Sequence, residues 1–188
     1  MKRRLEIARG LMTRPKVLFL DEPTLGLDPQ TRMRMWDYIR GVNREGTTIF
    51  LTTHYMDEAD QLSDRISIID RGRIIVSGTP YELKNMLGKD LLYFETGNNR
   101  AAMEILRNFR SVKDVTVKAK GFVLMVSEDG THLLPGMMEK LIAEGIGIMT
   151  VNMKKPSMDD VFVHYTGKEI RDEPTGKHLY PNVKPGGR

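Results

Sequence analysis

The chain has no cysteine among its 188 residues. That excludes a disulfide framework and any thiolate metal site, and it fits a reducing compartment. Long apolar runs are also missing. The longest unbroken aliphatic or aromatic stretch is FVLMV, residues 122–126, far short of a membrane span. The opening MKRRLEIARGLM starts like a secretory leader, but Glu6 and Arg9 interrupt any apolar core. Neither charge sign forms a long block: 29 bases and 25 acids are interleaved to a net charge of +4. This describes a mixed surface rather than a nucleic-acid groove, so no nucleic-acid partner is expected. His132, His164 and His178 have no partners at metal-ligand spacing. A phosphate-binding loop, G-x-x-x-x-G-K-[ST] between a strand and a helix, is absent too. The nearest stretch, GVNREGTT at 41–48, has the glycine spacing but carries Thr47 where lysine is required. It also runs from a helix into a strand, so its glycines read as a helix stop and a turn.

What is present alternates buried strands with amphipathic helices, the pattern of an α/β layer structure with a mainly parallel sheet. Residues 2–13 read as a helix stopped by Pro15. Val17 to Leu20 form a short run apolar on both faces, as expected inside a parallel sheet. Asp28-Pro29 is a helix start, followed by the stripe Met35, Ile39 and Val42. TTIFLTTH (47–54) reads as a second buried strand and YMDEADQLSD as a short acidic helix. ISIIDRGRIIVSG reads as a hairpin turning at Arg71-Gly72. The pattern then changes. A strand LLYFET, a helix over 99–109, strands VKDVTVKA and FVLMVS, a helix marked by Leu134, Met138, Leu141 and Ile142, and a strand with Met149, Val151 and Met153 follow. In the first of the paired strands, Val115, Val117 and Ala119 alternate. The order βαββαβ predicts a ferredoxin-like sandwich of about 65 residues, closed by a short helix at SMDDVFVHY. From Gly167 onward Pro, Gly and mixed charge leave little to bury, so a disordered tail is expected.

Ligands of open α/β sheets bind beyond the carboxyl ends of the strands. Asp21 and Glu22 stand at one such end, His54 at another, and Asp28 follows six residues after Glu22. Two acids, a third on a turn and one imidazole at the same edge suit metal–phosphate chemistry. Singly, an acidic dipeptide is more often a cap, and a lone histidine a surface residue. The joint pattern carries more weight than any one of them.

The stretch LFLDEPTLGLDPQTR through TTHYMDEAD closely resembles the ATP-binding cassette (ABC) transporter ATPases, over about residues 1–85. The ending PSMDDVFVHYTGKEIRD resembles the C-terminal extension of the daunorubicin-resistance type of exporter subunits. The resemblance implies an α/β fold that is part of a P-loop NTPase sheet (1–85), an α+β ferredoxin-like accessory domain (86–166) and a tail (167–188). It implies ATP and Mg²⁺ as cofactors, with Asp21 holding Mg²⁺ through water, Glu22 as catalytic base, Asp28 as the residue facing the partner subunit, and His54 as the histidine that steadies the γ-phosphate. It further implies a second ATPase subunit and a separate membrane permease as partners, on the cytoplasmic side of the cell membrane, with export of a drug or lipid-like cargo.

The family's LSGGQ loop lies just before a helix like KRRLEIARGLM, and its P-loop strand lies between strands equivalent to TIFLTT and ISIIDR. Neither is in this sequence, so an N-terminally truncated subunit, inactive alone, is the expectation. A non-catalytic binding or regulatory module, and an ABC ATPase that does not serve transport, are the alternatives. The thirteen methionines read as gap-filling, and Trp36 as a core or domain contact.

Overall fold

The computed structural model describes residues 2–167. The tail expected to be disordered lies outside the described residues except for Gly167. The chain begins with α1 (Lys2–Leu11), β1 (Val17–Asp21), α2 (Pro29–Arg44) and β2 (Thr48–Thr52). The crossover through α2 brings β1 and β2 together as a parallel pair, in register from Val17↔Thr48 to Asp21↔Thr52. α2 begins as its sequence predicts. The Asp28 carboxylate accepts from the Thr31 N–H at 3.0 Å, and Pro29 fills the first turn, where no N–H is needed. Met35 and Ile39 pack with Ile7, Leu18 and Leu20 into a small core.

That core covers one face of the pair only. Both strands were expected to be buried on both faces; instead Phe19 is 72% and Phe50 59% exposed. Their rings lie against each other with centroids 5.4 Å apart. Side chains alternate between the two faces of a strand, and α1 and α2 pack against Leu18 and Leu20. Among the described residues the pair has no third strand.

α3 (Met56–Leu62) leads into the hairpin of β3 (Ile66–Asp70) and β4 (Arg73–Gly78). The turn is where the sequence places it: Arg71 and Gly72 both have positive φ, 48° and 74°, the geometry that suits the twist of a two-residue hairpin. The hairpin is antiparallel and separate from β1–β2, so the mainly parallel sheet reduces here to one parallel pair. Apolar periodicity does not mark α4 (Pro80–Leu87), but its capping box does. Thr79 accepts from the Glu82 N–H at 3.1 Å, and Glu82 accepts from the Thr79 N–H at 2.8 Å. Gly88 (φ 119°) then turns the chain where a Cβ would lie 2.4 Å from the Val126 carbonyl oxygen.

The βαββαβ expectation holds. β5 (Asp90–Thr96), α5 (Asn99–Leu106), β6 (Val112–Val117), β7 (Phe122–Val126), α6 (Gly130–Ala143) and β8 (Ile148–Lys154) form an antiparallel sheet of order β6-β7-β5-β8. Leu92, Phe94, Phe122 and Leu124 meet Ala102 and Leu106 of α5 and Met137 and Leu141 of α6 in the main core. Several expected inward positions lie outside it, Ala119, Ile142 and Met153 among them. Val117, at the end of an edge strand, is 67% exposed and Met149 is 69% exposed. The register of β5 with β8 shifts at Glu95/Thr96, and Ile148 rather than Met149 packs on the core. Asp90 is buried and accepts from the Gly130 N–H at 2.9 Å while pairing with Lys155 at 2.8 Å, which ties β5 to the start of α6.

Leu91 is next to Leu92, so it faces the opposite side of β5. There α7 (Met158–Thr166) closes a second core: Met158 and Val161 pack with Leu91, Met125, Leu83, Leu87, Met56 and Ile68. The four-stranded sheet is therefore covered on both faces, and α7 joins it to α3, α4 and the hairpin. Met158→Ala should cost about 3 kcal/mol, as for other buried methionines truncated in a packed core, read as a lower urea midpoint and faster proteolysis between α4 and β5.

The start of α7 is also acid-sensitive. Burial raises the Asp160 pKa, but Lys154 at 2.8 Å and the Ser157 N–H and hydroxyl together outweigh it and hold the carboxyl below its ordinary 3.8. A depressed folded value stabilises above the unfolded value and is lost as pH falls through the folded one. The difference in Tm between the native chain and Asp160→Asn should thus be full near neutral pH and shrink as pH falls below 3.8.

Candidate active site

The in-register parallel pairing places the carboxyl ends of β1 and β2 side by side. Asp21 shares the exposed face with Phe19, and Thr52 shares it with Phe50, so the last rung puts the Asp21 and Thr52 side chains together. The Thr52 hydroxyl donates to Asp21 Oδ1 at 2.5 Å. The next residue, Glu22, departs from the strand with φ 44°. Such a conformation costs a non-glycine residue roughly 1–2 kcal/mol and persists only where its surroundings hold it. Here the Glu22 N–H donates to the Thr52 carbonyl oxygen at 3.1 Å and to its hydroxyl at 3.2 Å.

This turn brings the Glu22 carboxylate to His54, with Nε2 to Oε1 at 3.0 Å. His54 is well exposed and Glu22 about a quarter exposed, so the pair faces solvent at the sheet edge. Beyond Glu22 the chain makes two successive turns, Leu25 N–H to the Glu22 carbonyl and Leu27 N–H to the Thr24 carbonyl, over a buried Thr24. They end at Asp28, which caps α2. The Thr31 hydroxyl and N–H bonded to Asp28 hold its carboxyl below the ordinary carboxylate value.

Of the four residues singled out from sequence, Glu22 and His54 are in contact, Asp21 is joined to them through Thr52, and Asp28 engages its own helix. Thr52 was missed. Its signal was the register: in TTH it is the last strand residue before His54, opposite the first acid of DEPT.

No cluster of three or more His, Cys, Asp or Glu able to hold a metal occurs among the described residues. An all-protein cage is therefore not what these residues build. One or two hard carboxylate oxygens at an exposed edge do fit Mg²⁺, which keeps several waters and takes further ligands from phosphates. The phosphate cradle does not fit, since the sequence offers no glycine-rich loop with lysine.

Comparison with known proteins adds the family. Residues 78–166 match the family described as ATP-binding protein DrrA1-3-like, C-terminal domain. The chain is 43% identical over 175 residues to the daunorubicin resistance ATP-binding protein DrrA3 of Streptomyces coeruleorubidus, covering 91% of this chain and 54% of that one. It is 34% identical to the linearmycin resistance ATP-binding protein LnrL of Bacillus subtilis, covering 92% and 56% of the two chains. A nucleotide-free ATP-binding cassette from an ABC transporter superposes on 45% of this chain and 34% of its own, with TM-score 0.43 and 29% identity. The chain spans about half the length of the curated relatives it matches.

The chain is thus a C-terminal part of an ABC-transporter ATP-binding protein. Over residues 78–166 it matches the DrrA1-3-like family, and two of its relatives are daunorubicin-resistance ATP-binding proteins of Streptomyces.

Thr52→Val should remove the bond to Asp21 and one of the two acceptors of the Glu22 N–H. One hydrogen bond of about 1 kcal/mol corresponds to roughly fivefold faster hydrogen exchange at the Glu22 amide, with the β1–β2 ladder amides unchanged.

Proposed function

We propose that residues 1–85 carry the hydrolytic edge of an ABC exporter ATPase and residues 86–166 form its accessory domain. The observation that carries this reading is the Glu22–His54 contact of 3.0 Å, made by a glutamate held in the left-handed conformation at the end of a parallel strand. Glu22 is the general base: its carboxylate, oriented by His54 and by the bonds from its own N–H to Thr52, accepts a proton from the attacking water. His54, largely exposed, is free to hold a phosphate oxygen with the ring that orients Glu22. Asp21, oriented by the Thr52 hydroxyl, would hold Mg²⁺ through water. Asp28 lies on the turn that faces a second ATPase subunit. When bound, MgATP supplies the electrophilic phosphorus and neutralises charge on the phosphate oxygens.

The same reading gives the intact protein a separate membrane permease as partner and a drug or lipid-like cargo. The subunit itself sits at the cytoplasmic face, without nucleic acid. No helix among the described residues is long and apolar enough to cross a membrane. Without a phosphate cradle this chain alone should neither bind MgATP tightly nor turn it over, because phosphoryl transfer depends on positioning and charge stabilisation around the phosphates.

The test compares phosphate release by the chain alone with release by the same chain joined to a P-loop-bearing segment from a relative. The chain alone should show background release that Glu22→Gln leaves unchanged. In the joined protein Glu22→Gln should lower kcat by about a thousandfold, within the range for loss of a general base. Glu22-dependent turnover by the chain alone would overturn the inactivity; full turnover by joined Glu22→Gln would overturn the base.

A further inference from the structure

Glu58 is a carboxylate completely buried on α3, and the site as described has no use for it. Its Oε1 accepts from the indole Nε1–H of Trp36, on α2, at 2.9 Å, while Oε2 has no hydrogen-bond partner. Burying a carboxylate is costly even when it is bonded, and an apolar pair of similar volume is often as stable. Apolar packing alone therefore does not account for it.

The contacts on either side make a pattern. Residues four apart lie on one face of a helix, and Arg32, Trp36 and Arg40 are such a row on α2. Arg32 lies over the Tyr55 ring at 4.2 Å from its centroid and reaches Asp57 at 3.4 Å. Arg40 donates to the Gln61 carbonyl at 3.0 Å and to the Gln61 side chain at 3.2 Å. Three side chains of α2 thus grip α3 just before and at its start, at its third residue and near its end. α3 has seven residues and no side-chain cap at its N-terminus. A helix so short has little stability of its own, so its orientation comes from this grip. His54 stands four residues before Glu58, and α2 starts seven residues after Glu22.

We propose that Glu58 is a positioning residue: its bond to Trp36 fixes α3 on α2 and so holds His54 against Glu22. The inference rests on the reading of Glu22 and His54 as the working pair. Its mechanical content needs no nucleotide, so a failure of the ATPase reading leaves the following test intact.

Trp36 is the single tryptophan, so the chain gives one indole N–H cross-peak by NMR. The His54 ring resonance is assigned by its loss in His54→Gln. Glu58→Leu should shift the indole peak and also the His54 ring resonance, by more than the line width. Glu58→Gln, which keeps an acceptor for the indole, should return His54 to its native position. Trp36→Phe, which removes the donor and keeps an aromatic ring, should shift His54 as Glu58→Leu does; it carries the test alone if Glu58→Leu does not fold. A native His54 resonance in folded Trp36→Phe overturns the proposal, and so does a Glu58→Gln spectrum equal to that of Glu58→Leu.

Discussion

The parallel pairing of β1 with β2, in the register that ends on Asp21↔Thr52, is the constraint on which the candidate site depends. Leu18, Leu20, Ile49 and Leu51 hold that register by filling one core. A slip of one residue would turn Thr52 onto the core face and take its hydroxyl from both Asp21 and the Glu22 N–H. The strained Glu22 conformation, its contact with His54 and the position of Asp21 are therefore consequences of apolar packing on the far side of the sheet. The exposed Phe19–Phe50 pair lies on the same face as the acidic edge, so the side chains that could cover those rings would also border the site.

A second dependency runs through α7. The family match begins at residue 78, yet Met158 and Val161 of α7 pack with Met56 and Ile68, which precede that boundary. The sandwich is thus seated on the helix and hairpin that follow His54. Asp160, at the start of α7, uses its carboxylate both to complete a capping box with Ser157 and to meet Lys154 on the edge strand β8. The C-terminal domain and the helix behind the histidine consequently share one packed core. The Arg32–Trp36–Arg40 row grips the same helix from its other side, so α3 has partners in both parts of the chain.

Local chemistry was legible in the sequence because it needs only neighbours. Asp28-Pro29 predicts the start of α2, Arg71-Gly72 predicts the hairpin, and the apolar order βαββαβ predicts the sandwich. DEPT with TTH singled out Glu22 and His54, since strand ends collect at one edge of an α/β sheet. The capping box at Thr79–Glu82 was equally legible, but apolar periodicity does not reveal it. Tertiary structure decided the rest. An apolar strand cannot report how many of its faces are covered, so Phe19 and Phe50 read as buried and stand exposed. A register shift at Glu95/Thr96, invisible in the alternation of β8, exchanged Met149 for Ile148. Thr52 acquired its role only from the residue opposite it, and Glu58 only from an indole twenty-two residues away, because such partners are set by packing and not by spacing along the chain.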